Sequence, residues 1–181
     1  MINNDGRGFL RMTDETYDLI TSEPPPPLSP GVYRLYSREY YEAAREHLSP
    51  EGIMTQWLPI NQLPQEAADL IISTFIDVFE HSLLFTGWDY EEPGSSELIL
   101  MGSPAPIDLN RIVHQFSDDP AVVEDLQRIG IKSGADFLNR IVASDDVLRR
   151  NYGGLRIVSD QRNNLEHTMR RPPGWAAIRL K

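Results

Sequence analysis

The chain has 181 residues, 40% of them apolar, and a formal net charge of −10. That is enough apolar content to close one core, and the acidic balance excludes a general nucleic-acid binder, which needs a basic face to neutralise phosphates. The absence of cysteine excludes disulfides, thiolate metal sites and thiol nucleophiles. The longest apolar stretch, residues 70–79, is interrupted by Ser73, Thr74 and Asp77 and is too short to span a bilayer, so the chain reads as soluble, with the cytoplasm as its expected compartment.

Residues 1–4 read as the tail of a strand and residues 6–12 as a short turn of helix. Residues 17–22, YDLITS, are a short run of β-formers bounded by turn residues and predict a buried strand. Glu23 is left at its carboxyl end, where open α/β sheets bind ligands; the other reading is a plain loop carboxylate. The four prolines at 24–27 cannot donate ladder hydrogen bonds, so the chain must leave the sheet there. Ser37 predicts an N-cap for a helix over 38–48, with Glu39 favoured in its first turn. Residues 49–52, Ser-Pro-Glu-Gly, read as a turn, and 53–58 as a second strand.

Residues 64–79 show the clearest helical period, with Ala67, Leu70, Ile71, Thr74, Phe75 and Val78 on one broad apolar face that packs on the sheet. Two further strands, 81–86 and 97–102, form an expected antiparallel pair joined by a solvated loop. Beyond Pro106 the pattern turns helical: Asp108 caps a helix to Phe116, Asp119 or Pro120 opens one to Ile129, Ser133 one to Val142 and Asp145 one to Asn151. His47, His81, His114 and His167 form no close ligand pair, so no metal site is expected. The expected division is an α/β part over 1–103, a helical extension over 104–169 and a basic tail over 170–181.

The stretch from Tyr17 to Tyr41 resembles the polyamine aminopropyltransferases, the spermidine synthase family. The family strand ends in an Asp, two small residues, a second Asp and a Pro; here Glu23 stands at the first Asp and Pro26 at the second. Pro27, Pro30, Gly31, Leu35-Tyr36 and Glu39-Tyr40-Tyr41 continue the pattern. Residues 4–10 are similar to the family's Asp-Gly/Ala-Arg turn, residues 48–57 to its next strand, and residues 157–166 to its closing Thr-Asp-Asp-Arg segment. The Ser-Glu-Pro variant looks most like a divergent bacterial branch that is often fused to membrane segments.

The resemblance implies an α/β fold of the S-adenosylmethionine methyltransferase-like (Rossmann-like) kind, carrying a C-terminal helical appendage. It implies that Glu23 takes the proton of the attacking amine, and that Asp5, with Gly6 beside it, meets the adenosyl group of decarboxylated S-adenosylmethionine. On the substrate side it implies Tyr36, Gln56 and the loop aromatics Trp88 and Tyr90, which are equally readable as ordinary solvent-facing aromatics. No Gly-x-Gly run precedes Asp5, so the chain reads as the carboxy-terminal half of the family domain, without its first strands, and by itself inactive. Aminopropyl transfer to a polyamine is then the parent activity, with S-adenosylmethionine as the other candidate co-substrate. The alternatives are another S-adenosylmethionine-dependent transferase, or an interaction module without catalysis. A bare edge on strand 17–22 predicts a homodimer, unless residues 155–158 fold back to fill it.

Overall fold

Residues 17–22 do form a strand, and its carboxyl end organises the site. In the computed structural model, whose described residues are 5–87, 97–169, 178 and 180 (backbone alone for 115–118), β1 (Tyr17–Ser22) runs parallel to β2 (Leu48–Pro59). Antiparallel β4 (Glu97–Ser103), β3 (His81–Thr86) and β5 (Ile141–Ala143) complete a five-stranded sheet in the order β1-β2-β4-β3-β5. The expected β3–β4 pair is present, with Thr86 opposite Leu98.

The expected turn at residues 49–52 is a bulge within a longer strand. Tyr17 lies opposite Leu48 and Leu19 opposite Ile53, so the β2 backbone loops out between them. Gly52 stands where it rejoins, and a Cβ there would come within 2.9 Å of the Tyr17 carbonyl. β1 itself is not buried as expected: Asp18, Leu19 and Thr21 are exposed, Leu19 by 60%. The reason is its place at the edge of the sheet, with only one strand beside it among the described residues.

One face of the sheet is closed by α3 (Gln65–Val78), in which ten of 14 residues are buried. Its burial is wider than one stripe because α2 (Arg38–Glu46), α7 (Asp145–Tyr152) and α8 (Asn164–Met169) pack around it. Tyr41, Phe75 and Phe79 stack in series, Tyr41 edge-on to Phe75 at 5.1 Å between centroids and Phe75 to Phe79 at 4.7 Å. His47 follows α2, its ring set between the carbonyls of Ala43 (2.8 Å) and Thr13 (2.9 Å). Two carbonyl acceptors on the two ring nitrogens favour the imidazolium and raise its pKa.

Three expected caps are made. Asp108 accepts from Arg111 N at the start of α4 (Leu109–Asp118), Asp119 from Ala121 N at α5 (Pro120–Arg128), and Ser133 from Asp136 N at α6 (Gly134–Leu138). The helix expected to reach Val142 stops at Leu138, and Ile141 and Ala143 instead pair with Phe85 and Leu84 as β5. Two β-branched residues in three, next to an open sheet edge, outweigh the helical pattern there. Residues 155–158 do not fill the free edge of β1. They lie over the helices, where Val158 accepts from Arg38 N (2.9 Å) and donates to Thr74 Oγ1 (2.9 Å).

Candidate functional site

Strand alternation decides which side chains meet beyond β1. On β2, Met54, Gln56 and Leu58 are buried against the helices, while Ile53, Thr55 and Trp57 point to the other face and are half-buried. On β4, Leu98 and Leu100 face the helices and Glu97, Ile99 and Met101 the opposite side. Thr21 and Glu23, two residues apart, share that second face. The result is a cleft of about 260 Å³ lined by Thr21, Glu23, Thr55, Trp57, Gly87, Glu97 and Ile99. Glu23 is exposed in it and makes no hydrogen bond or ion pair among the described residues. An uncommitted carboxylate beside an indole is suited to a cation, by charge and by the ring's negative face.

The residues on both sides of Glu23 are fastened from below, Ser22 through its side chain and Pro24 and Pro25 through their carbonyls. Tyr40, on α2, donates its hydroxyl to Ser22 Oγ (3.1 Å). Tyr36, fully buried in the 3-10 turn Val32–Tyr36, donates to the carbonyls of Pro24 (3.2 Å) and Pro25 (3.1 Å). Burial raises the pKa of both hydroxyls, so they remain protonated donors. The carboxylate is therefore held on a short, anchored segment rather than a free loop.

Asp5 lies in a second cleft, of about 440 Å³, with Arg7, Arg11, Pro30, Arg34, Leu35 and Asp160 in its walls. It caps α1 (Gly6–Leu10) by accepting from Gly8 N at 2.9 Å. Gly6-Arg7-Gly8 is thus helix and cap, and a Cβ at Gly8 would sit 3.0 Å from Asp5 Oδ2, so the capping carboxylate would have to shift. Beneath, Arg7 makes a bidentate pair with Asp160, one arm at 2.8 Å, and donates to the Arg34 carbonyl at 3.0 Å. That guanidinium, chiefly, holds the Asp160 carboxyl below the usual carboxylate range. Asp160 also accepts from Ser37 Oγ (3.0 Å) and, through its own N–H, donates to Glu39 Oε2 (2.9 Å). Ser37, at the N-cap position of α2, turns its hydroxyl to Asp160 and the Arg34 carbonyl (3.0 Å) and makes no cap bond with its side chain. A few residues on, Glu166 accepts from Gly31 N at 2.8 Å. Residues 160–166 clamp the loop that follows Glu23.

The sequence-derived residues thus separate. Glu23 lines one cleft; Asp5 lines the other, with the exposed Gly6 beginning α1 next to it. Tyr36 and Gln56 are fully buried beneath the sheet, Gln56 donating to the Trp57 carbonyl at 3.0 Å while its Oε1 has no partner among the described residues. Trp88 and Tyr90 lie outside the described residues. Sequence reading missed Trp57 and Glu97, although the alternation along residues 53–58 is the signal that turns Trp57 away from Gln56's face. Among the described residues no helix is long and apolar enough to cross a membrane.

No family model matches the chain. It is 40% identical over 52 residues to the polyamine aminopropyltransferase of Oceanobacillus iheyensis, a stretch covering 29% of this chain and 10% of that protein. To the polyamine aminopropyltransferases of Shigella boydii and Escherichia coli it is 32% identical over 68 residues, 38% of this chain and 23% of each of theirs. Among solved structures, a probable spermidine synthase from Corynebacterium glutamicum superimposes with a TM-score of 0.52 at 16% identity, over 87% of this chain and 52% of that one. The chain therefore spans about half the length of this solved relative, and its matches to the curated relatives cover less than a quarter of theirs. The structural likeness shows the fold, α/β and methyltransferase-like; the local sequence matches show similarity to aminopropyltransferases.

Proposed function

We propose that the cleft beyond β1 is the acceptor-amine site of an aminopropyl transfer. The observation that carries this is the uncommitted Glu23 carboxylate, anchored by Tyr36 and Tyr40 and facing Trp57. In the reaction a neutral primary amine of a polyamine attacks the carbon attached to the sulfonium of decarboxylated S-adenosylmethionine. The new C–N bond forms as the C–S bond breaks, the thioether leaves with the electron pair, and the proton released from nitrogen passes to Glu23. Holding the amine at the carboxylate supplies much of the rate, since orientation is the main term for such a displacement.

The adenosyl group belongs, on this reading, in the cleft over Asp5, whose walls include Pro30 and Leu35 from the stretch that follows Glu23. We assign the transfer to the whole protein. The one Gly-x-Gly run in this chain lies inside α1 and does not cradle a nucleotide backbone, so this chain alone is expected to be inactive.

The test is calorimetric titration with 1,4-diaminobutane. Glu23→Gln keeps the shape and removes the charge, and should weaken binding roughly 10- to 100-fold, the worth of one charge-assisted hydrogen bond. Equal affinity in the two proteins would remove Glu23 from the amine site.

A further inference from the structure

We infer that His47 is a pH-operated clasp: as the imidazolium it fastens the segment joining α1 to β1, and on losing its proton to water it lets that segment go. The positions of the two ring nitrogens set the chemistry. Nδ1 lies 2.8 Å from the Ala43 carbonyl, four residues back on α2, and Nε2 lies 2.9 Å from the carbonyl of Thr13. A carbonyl oxygen only accepts, so both contacts are hydrogen bonds only when both nitrogens carry a proton. The neutral ring has one N–H and must turn a lone pair toward the other carbonyl. The Ala43 contact lies within one turn of chain and is the easier to keep, so the bond given up is the one to Thr13.

Little else holds that segment. Met12, Asp14, Glu15 and Thr16 are exposed. Met12 N and Thr13 N donate back to the Phe9 carbonyl in α1, each at 3.0 Å, and Glu15 N donates to Thr13 Oγ1 at 3.2 Å. Among the described residues no other hydrogen bond reaches residues 12–16 from beyond α1. The segment continues α1, whose Asp5 and Arg7 stand in the walls of the larger cleft, so opening the clasp slackens one wall of that cleft. Among the described residues the charges that act on the ring are the carboxylates of Glu46, on α2, and Asp14, on the segment itself; β1 and β2 contribute none. The two carbonyls chiefly, and then these carboxylates, favour the charged ring, which therefore loses its proton above the ordinary histidine value of 6.5. The clasp is closed below that value and opens as the pH rises through the higher folded one.

The experiment is amide hydrogen exchange of the full chain by nuclear magnetic resonance from about pH 5.5 to 8.5, with intrinsic base catalysis divided out, alongside the titration of the His47 ring protons. Protection at Met12 and Thr13 is expected to fall roughly fivefold, the worth of one net hydrogen bond, with its midpoint at the His47 titration. Ile71 and Leu84, fully buried in α3 and β3, should keep their protection throughout. His47→Gln, neutral at every pH, should show the lower protection at Met12 and Thr13 with no step, and unchanged protection at Ile71 and Leu84 shows that it is folded. A wild type whose Met12 and Thr13 protection stays flat while His47 titrates overturns the inference, whatever the variant does. A His47 ring that titrates at or below the ordinary value, or a step that survives His47→Gln, overturns it as well.

Discussion

Gly102→Ala is expected to cost on the order of 3 kcal/mol and to lower the melting temperature by roughly 6–12 °C. Gly102 faces the helix side of β4, where a Cβ would lie 2.5 Å from Phe79 Cγ, 2.7 Å from Phe79 Cβ and 2.8 Å from Phe75 Cε1. Both rings are fully buried, and the series Tyr41, Phe75 and Phe79 blocks their retreat. The methyl group must therefore shift α3 away from the sheet or force the rings off their rotamers. Gly6→Ala is the control: it lies at the start of α1 with nothing within 4 Å of a Cβ, so it should be neutral or slightly stabilising. A thermal melt of both proteins checks the pair; a Gly102→Ala protein as stable as wild type would show that the sheet and α3 are not packed as described.

Arg7→Met is expected to cost about 2–3 kcal/mol at neutral pH. Arg7 is only 7% exposed, and its removal leaves the Asp160 carboxylate with Ser37 Oγ and only the weaker influence of the Arg34 charge. A fully buried pair broken on one side costs about 3–5 kcal/mol, and the figure is reduced here because the Asp160 side chain is 27% exposed. The pH dependence has a definite sign. The Asp160 pKa is lowered on folding, so its contribution is present above the unfolded carboxylate value, about 3.9, and is lost as pH falls through the lower folded value. The stability gap between wild type and Arg7→Met should therefore be widest near neutrality and narrow on acidification below about pH 4. Denaturant melts across that range measure it; a gap independent of pH would mean that Arg7 acts through packing alone.

Much of this architecture was legible from local pattern. The strand at residues 17–22, the helix over 65–78 and the three acid or serine caps follow from short-range chemistry that burial did not overrule. The misreadings have physical causes. Leu19 and Ile20 suggested a buried strand, but apolar content says nothing about which neighbours a strand will have. β5 is three residues long and sat inside a helical pattern. Gln56, which the resemblance put on the substrate side, is buried by its position in the alternation, and its neighbour Trp57 takes the cleft face. The clamp formed by Asp160 and Glu166 joins residues more than a hundred positions apart, beyond the reach of any periodicity. Glu97 falls under the same limit: only the sheet order brings it to the cleft that holds Glu23.

The claim that an amine sits at Glu23 over the Trp57 indole is tested most directly by intermolecular nuclear Overhauser effects from the methylene protons of 1,4-diaminobutane. Contacts to the Trp57 ring and to Ile99 are expected, lost at the same ligand concentration in Glu23→Gln. Contacts confined to Val32 and Leu35 in the Asp5 cleft, or contacts to Trp57 that survive Glu23→Gln undiminished, would contradict it.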